Sequence, residues 1–215
     1  TDFVAKDDNF RAFAQAVTDT VAQHHPDSVE ALKALPLGGG TGSVEEAREA
    51  LIGKIGEKID IRRFSSLEGG TQGRVSAYLH GARIGVLVGT TGGRADLGKD
   101  IAMHVAASEP LCVSKDQVPE EILDKEREIY TAQAQESGKP AQIMEKMVEG
   151  RIQKYLNEIT LLGQPFVKEP DKSVEKLLKD ESAEVNGFIR YEVGEGLERR
   201  EDDFVAEVMA QAKGG

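Results

Sequence analysis

The chain has 215 residues, with 27 Lys and Arg against 38 Asp and Glu and a formal net charge of −11. Clustered basic residues supply most of the affinity for a phosphate backbone, so direct nucleic-acid binding is not expected of so acidic a chain. No apolar run approaches the roughly 20 residues that span a bilayer, which argues against a membrane role. The single cysteine, Cys112, excludes an internal disulfide and a Cys-rich zinc site and fits a reducing, cytoplasmic setting.

The sequence opens Thr1-Asp2-Phe3-Val4, with no Met and no basic or apolar leader, so a tag, a transit segment or a domain is expected to have preceded Thr1. Asp7 and Asp8 stand before Phe10, Phe13, Ala14 and Val17, whose spacing makes one helical face; His24, His25 and Pro26 end that helix. A shorter helix is predicted from Ser28 to Leu35, then a Gly-rich loop over 38–42. Ser43, with Glu46 three residues on, predicts a capping box opening a helix to about Ile52. The alternation over Ile59–Phe64 predicts a strand at 59–66 whose sheet partners would lie before Thr1, since an isolated strand with open edges is unstable.

Val75–Leu79, His80-Gly81 and Arg83–Val88 predict a hairpin, followed by the Gly92-Gly93 break and a helix with Leu97, Ile101, His104 and Val105 on one face. Two amphipathic helices, 119–136 and 141–159, joined by Ser137-Gly138-Lys139-Pro140, predict an antiparallel hairpin projecting into solvent. Pro165 and Pro170 bracket an extended segment, Ser173 caps a short helix, residues 186–193 alternate as a strand, and a last helix runs over about 199–212. Hairpin turns outnumber parallel crossovers, so the fold class is α+β with mainly antiparallel pairing.

Candidate chemistry is sparse. Gly93–Asp100 approaches the phosphate loop G-x-x-x-x-G-K-[ST], but Asp100 stands where a hydroxyl should hold magnesium and Asp96 puts negative charge against the phosphates, so a turn and helix start are expected instead. His104, on an apolar helix face, reads as a packed core histidine, and Cys112 as an inert thiol. His80, in a hairpin turn beside Gly81, reads equally as a side chain presented to a partner or as turn chemistry alone. No metal pair, nucleophile motif or cofactor loop emerges, and the chain is not expected to be an enzyme.

Seven runs stand out: Thr1–Asp7 (TDFVAKD), Ile55–Ile59 (IGEKI), His80–Val88 (HGARIGVLV), Ile101–Ser108 (IAMHVAAS), Glu145–Arg151 (EKMVEGR), Gly163–Val167 (GQPFV) and Gly187–Gly196 (GFIRYEVGEG). Together, and in this order along the whole chain, they resemble bacterial elongation factor Ts. The resemblance implies a guanine-nucleotide exchange factor that binds elongation factor Tu, with no cofactor of its own; it acts on the GDP and Mg²⁺ held by that partner. It also implies two α+β subdomains with small antiparallel sheets packed by helices, a projecting coiled-coil hairpin and a C-terminal helix. The corresponding ranges are 1–73 for the N-terminal subdomain, 74–112 with 162–196 for the C-terminal subdomain, 113–161 for the coiled coil and 197–215 for the terminal module.

Residue by residue, Asp2 and Phe3 match the pair that wedges beside the partner's magnesium site. Ile55 and Gly56 match a helix-end contact with the same nucleotide domain, His80 and Val167 match contacts on the partner's far side, and Phe204 and Val208 lie in the terminal helix that packs on the nucleotide domain. The family pattern has a small helical domain and two strands before the position of Thr1, so the chain is expected to be a C-terminal part of the family pattern. The rival expectation is a non-catalytic elongation factor Tu-binding fragment or scaffold subunit of a larger assembly, and the coiled coil is a candidate surface for self-association or another subunit.

Overall fold

A computed structural model describes residues 3–197 apart from 39, 41, 71 and 137. The chain divides into two compact units between Glu68 and Gly69.

The first unit is helical. Phe3 opens a short 3₁₀ turn, Val4–Lys6, ahead of α1 (Asp8–His24). Asp7 caps α1: its Oδ1 accepts from the backbone N–H of Asn9 (2.9 Å) and Phe10 (3.1 Å). These are two of the amides that a helix start leaves without partners, and they hold the Asp7 carboxyl below its usual range. His25, at φ 46°, turns the chain out of the helix. Ser28 caps α2 (Val29–Ala34), and Ser43 with Glu46 forms the expected capping box of α3 (Val44–Ile55). The apolar faces meet in a core of Phe13, Val17, Val21, Leu32, Val44, Leu51 and Ile59.

The strand expected at 59–66 does not form; residues 58–70 are neither helix nor strand. A strand needs a ladder for its N–H and C=O groups, and here two of those groups are bonded to side chains instead. Arg48 Nη1 donates to Ile59 O at 2.6 Å, and Asp60 Oδ1 accepts from Ile61 N at 2.9 Å. The alternation still has a use: Ile59, Ile61 and Phe64 pack on the helical core.

The second unit is built on a sheet. β1 (Gly73–His80) and β2 (Ile84–Gly92) form the expected hairpin, and α4 (Leu97–Ser108) follows. Next come α5 (Glu120–Glu136) and α6 (Ala141–Ile159), then β3 (Pro165–Phe166), β4 (Glu169–Ser173), α7 (Val174–Asp180, capped by Ser173) and β5 (Ala183–Glu192). The three-stranded sheet has the order β1-β2-β5 and is antiparallel throughout, with an irregularity between Gly89 and Thr90 where β5 pairs; β3 and β4 make a separate antiparallel pair.

α4 lies against β1 and β2 so closely that a Cβ on Gly98 would come within 2.4 Å of Ser76 Oγ. The helix contributes Leu97, Ile101, Ala102 and Val105, all fully buried, to a core with Val86, Val88, Leu161, Phe166, Val174, Leu177 and Leu178.

α5 and α6 pack together as a helical hairpin with a core of its own, in which Val118, Ile152 and Leu156 are joined by Ile122, Leu123, Tyr130 and Val148. The Arg151 guanidinium stands 5.6 Å from the Tyr130 ring centroid and donates to Gln133. On α6 the buried residues are Ile152 and Leu156, away from the connecting loop. Towards the loop, Ile143 is exposed, and a cavity of about 410 Å³ opens between Arg127, Ala134, Met144 and Val148. The helix predicted over 199–212 lies outside the described residues. Among the described residues no helix is long and apolar enough to cross a membrane.

Candidate functional site

Asp2, Phe204 and Val208 lie outside the described residues. The other candidates fall into two groups, one in each unit.

In the helical unit, Phe3 is 87% exposed although the chain around it is fastened. Its carbonyl accepts from Lys6 N (3.1 Å), and Arg11 Nε reaches Ala5 O (3.3 Å). Val4 packs against the core, so the adjacent Phe3 is held on an anchored turn. Ile55 is the last residue of α3 and half-buried against the same core. Gly56 ends the helix at φ 80°, where its N–H donates to Ile52 O at 2.8 Å. Nothing lies within 4 Å of where a Cβ would stand, so the left-handed backbone rather than space selects glycine there. Lys54 Nζ donates to Asn9 Oδ1 at 2.6 Å, which ties the end of α3 to the start of α1. Phe3, Ile55 and Gly56 thus border the place where α1 begins and α3 ends.

In the sheet unit, His80 and Val167 line one cavity of about 370 Å³ with Tyr78, Ile84, Met103, Ala106 and Ala107. The β1–β2 register sets His80 opposite Ile84. Tyr78, two residues back on the same side of the strand, places its hydroxyl 3.1 Å from His80 Nδ1. Val167 is 45% exposed in the two-residue turn between β3 and β4. The cavity lining is mainly apolar and includes the His80 imidazole.

Behind Val167 lies His104, fully buried on α4. Val167 N–H donates to its Nδ1 at 3.2 Å, so its Nε2 carries the proton and donates to Gln164 Oε1 at 2.9 Å. Gln164 Nε2 in turn donates to Glu158 O (2.7 Å) and Ser108 O (3.2 Å). Burial pushes the His104 pKa down, and the Gln164 contact only partly opposes it. His104 is thus a core histidine, as its apolar helix face implies, and its polar partners lie about 60 residues away in sequence. A polar residue on an apolar helix face was the only signal for them.

The phosphate-loop look-alike is likewise structural. Asp100 is buried, and its carboxylate accepts from Lys168 Nζ (2.5 Å) and Arg94 Nη2 (2.6 Å), while Arg94 Nε donates to Glu181 (2.8 Å). Burial alone would raise the Asp100 pKa; the two cations more than reverse this and hold it below its usual range. Among the described residues no group of three His, Cys, Asp or Glu is arranged to hold a metal ion. Burial also raises the Cys112 thiol pKa, as expected of an unreactive cysteine.

The family model described as Elongation factor TS matches residues 1–195. The elongation factor Ts of Thioalkalivibrio sulfidiphilus is 59% identical over 214 residues, covering 100% of this chain and 72% of that protein. That of Nitrosomonas eutropha is 58% identical over 211 residues, covering 98% and 71%. That of Legionella pneumophila (strain Paris) is 54% identical over 213 residues, covering 99% and 72%.

Proposed function

From the premise that this chain belongs to the elongation factor Ts family, we infer that it is a guanine-nucleotide exchange factor: it binds elongation factor Tu and promotes release of GDP. The observation that carries this reading is the family match along residues 1–195, which includes both exposed candidate groups. Exchange makes and breaks no covalent bond, so the chain is not an enzyme in the bond-making sense. It needs no cofactor; the GDP and Mg²⁺ concerned belong to the partner. Its place is the cytoplasm, with the translation machinery.

The mechanism follows from charge. A bound nucleoside diphosphate is held through its phosphates and the cation that bridges them to protein. Phe3, an exposed ring on a fastened turn, is suited to enter an apolar crevice and displace the support of that cation. Asp2 beside it is the second member of the wedge, and Ile55 and Gly56 brace the same nucleotide domain. With the cation destabilised, the phosphates lose an electrostatic partner and GDP leaves faster. His80, Val167 and the cavity between them take a second surface of the partner, and Phe204 and Val208 pack on the nucleotide domain.

A foothold in each unit lets binding energy from the second surface help to hold the wedge in place. Coupling must be reciprocal: a factor that loosens GDP is itself bound more weakly by GDP-loaded partner. Residues 1–73, 74–112 with 162–196, 113–161 and 197–215 correspond to the family's two subdomains, coiled coil and terminal module, and the α5–α6 hairpin is a candidate surface for self-association or another subunit.

The test is release of a fluorescent GDP from elongation factor Tu at fixed Mg²⁺, with and without this chain. Large acceleration supports exchange. Binding without acceleration overturns it in favour of a docking or scaffold role.

A further inference from the structure

We propose that His104 is a positioning residue for partner binding, acting through the backbone amide of Val167. The proposal rests on the reading above that Val167 touches the partner. β3 and β4 form only a two-stranded pair, and Val167 and Lys168 are the turn between them. Such a pair is weakly held by its own ladder, and α4 fastens its turn from behind at two points. His104 Nδ1 takes the Val167 N–H at 3.2 Å, and Asp100 Oδ1 takes Lys168 Nζ at 2.5 Å.

The neighbouring Phe166 is 1% exposed and needs no such help to stay in the core, with its ring centroid 5.9 Å from that of His104. The amide that the histidine binds belongs to the exposed residue of the turn. The imidazole suits this task because it offers an acceptor and a donor in fixed, divergent directions. Gln164 takes the donor and is itself held by the carbonyls of Ser108 and Glu158. With Nε2 so engaged, Nδ1 is left as an acceptor aimed at one backbone N–H. An apolar side chain would leave that N–H and Gln164 Oε1 without these bonds.

Two substitutions separate the two bonds. In His104→Asn, the side-chain oxygen can occupy the place of Nδ1 and keep the Val167 bond while losing Gln164. In His104→Gln, the amide can keep Gln164 while losing Val167. The readouts are hydrogen exchange at the Val167 amide of the free chain, the factor concentration giving half-maximal GDP release, the maximal release rate and the melting temperature.

The expected result for His104→Gln is a Val167 amide exchanging at least about tenfold faster and a half-maximal concentration raised roughly five- to tenfold, with the maximal rate unchanged. His104→Asn should keep both near those of the unmodified chain even where its melting temperature falls. Equal weakening in the two variants, or an unchanged half-maximal concentration in His104→Gln, overturns the proposal. So does a Val167 amide that exchanges as fast as an open loop in the unmodified chain, a result that needs no variant to fold. Val167→Ala separates the two levels. If it leaves the half-maximal concentration unchanged, Val167 is not a contact and the binding reading itself fails. If it weakens binding and His104→Gln does not, the proposal alone fails.

Discussion

In the helical unit the candidate contacts stand where elements stop; in the sheet unit they stand on elements that the fold brings together. Phe3 precedes a helix and Ile55-Gly56 ends one, and each is placed by local hydrogen bonds and caps. His80 ends β1 and Val167 lies in the turn between β3 and β4, and they share a cavity where α4 packs against β1 and also fastens that turn. The cores differ in the same sense. Among the described residues the helical unit fully buries Leu32, Val44 and Thr20, whereas the sheet unit fully buries Val88, Leu97, Ile101, Ala102, Val105, Leu161 and Val174. A contact placed by local bonds can be removed without disturbing its unit. A contact assembled from distant elements shares its support with the core.

The largest effect is expected in the sheet unit's core. Ile101→Ala deletes a fully buried side chain of α4 and should cost about 3 kcal/mol in denaturant unfolding. It should also weaken binding through the cavity that α4 helps to line; a loss below about 1 kcal/mol would mean that α4 is not the common support. Next comes Phe3→Ala. The ring is 87% exposed, so the melting temperature should hardly move, while the acceleration of GDP release should drop about thirtyfold, equivalent to about 2 kcal/mol. A large loss of stability with little loss of exchange would reverse the roles given to the two units.

Ser43→Ala removes the N-cap of α3 and should cost about 1 kcal/mol, read as a lower denaturation midpoint, with little change in exchange. The most gradual effect is that of acid, and it should be felt in the sheet unit. The folded-state pKa of His104 is depressed, so the unfolded chain binds more protons below about pH 6.5, and stability falls as pH drops from there through the folded value. Asp100 is depressed as well, and its contribution is lost at lower pH, below about 3.8, as its carboxylate is protonated. His104→Asn should flatten the first part of the stability–pH curve and leave the second; an unchanged first part would show that His104 does not cause it.

Local features were legible in the residues. Ser43 and Ser173 cap the helices they precede, and of the two candidate aspartates it is Asp7 that caps α1, because its Oδ1 reaches the amides of Asn9 and Phe10. The β1–β2 hairpin and the helical hairpin lie where alternation, helical spacing and turn residues put them. The expected strand at 59–66 failed because alternation records which side of a segment is apolar, not whether a second strand is there to pair with it. Ile143 is exposed for a similar reason: a stripe on one helix becomes a core only where the facing helix offers side chains to meet it.

What the residues determined by themselves was the kinship, the α+β class and the helix starts, because caps, turns and periodicity act over a few residues. What the tertiary structure decided was the fate of the polar groups on α4. Nothing near Asp100 in sequence indicates Lys168, and nothing near His104 indicates Gln164 or the amide of Val167. A buried charge or imidazole persists only where a partner is supplied, and here the partners arrive from a distant stretch of chain that the shared core brings alongside α4.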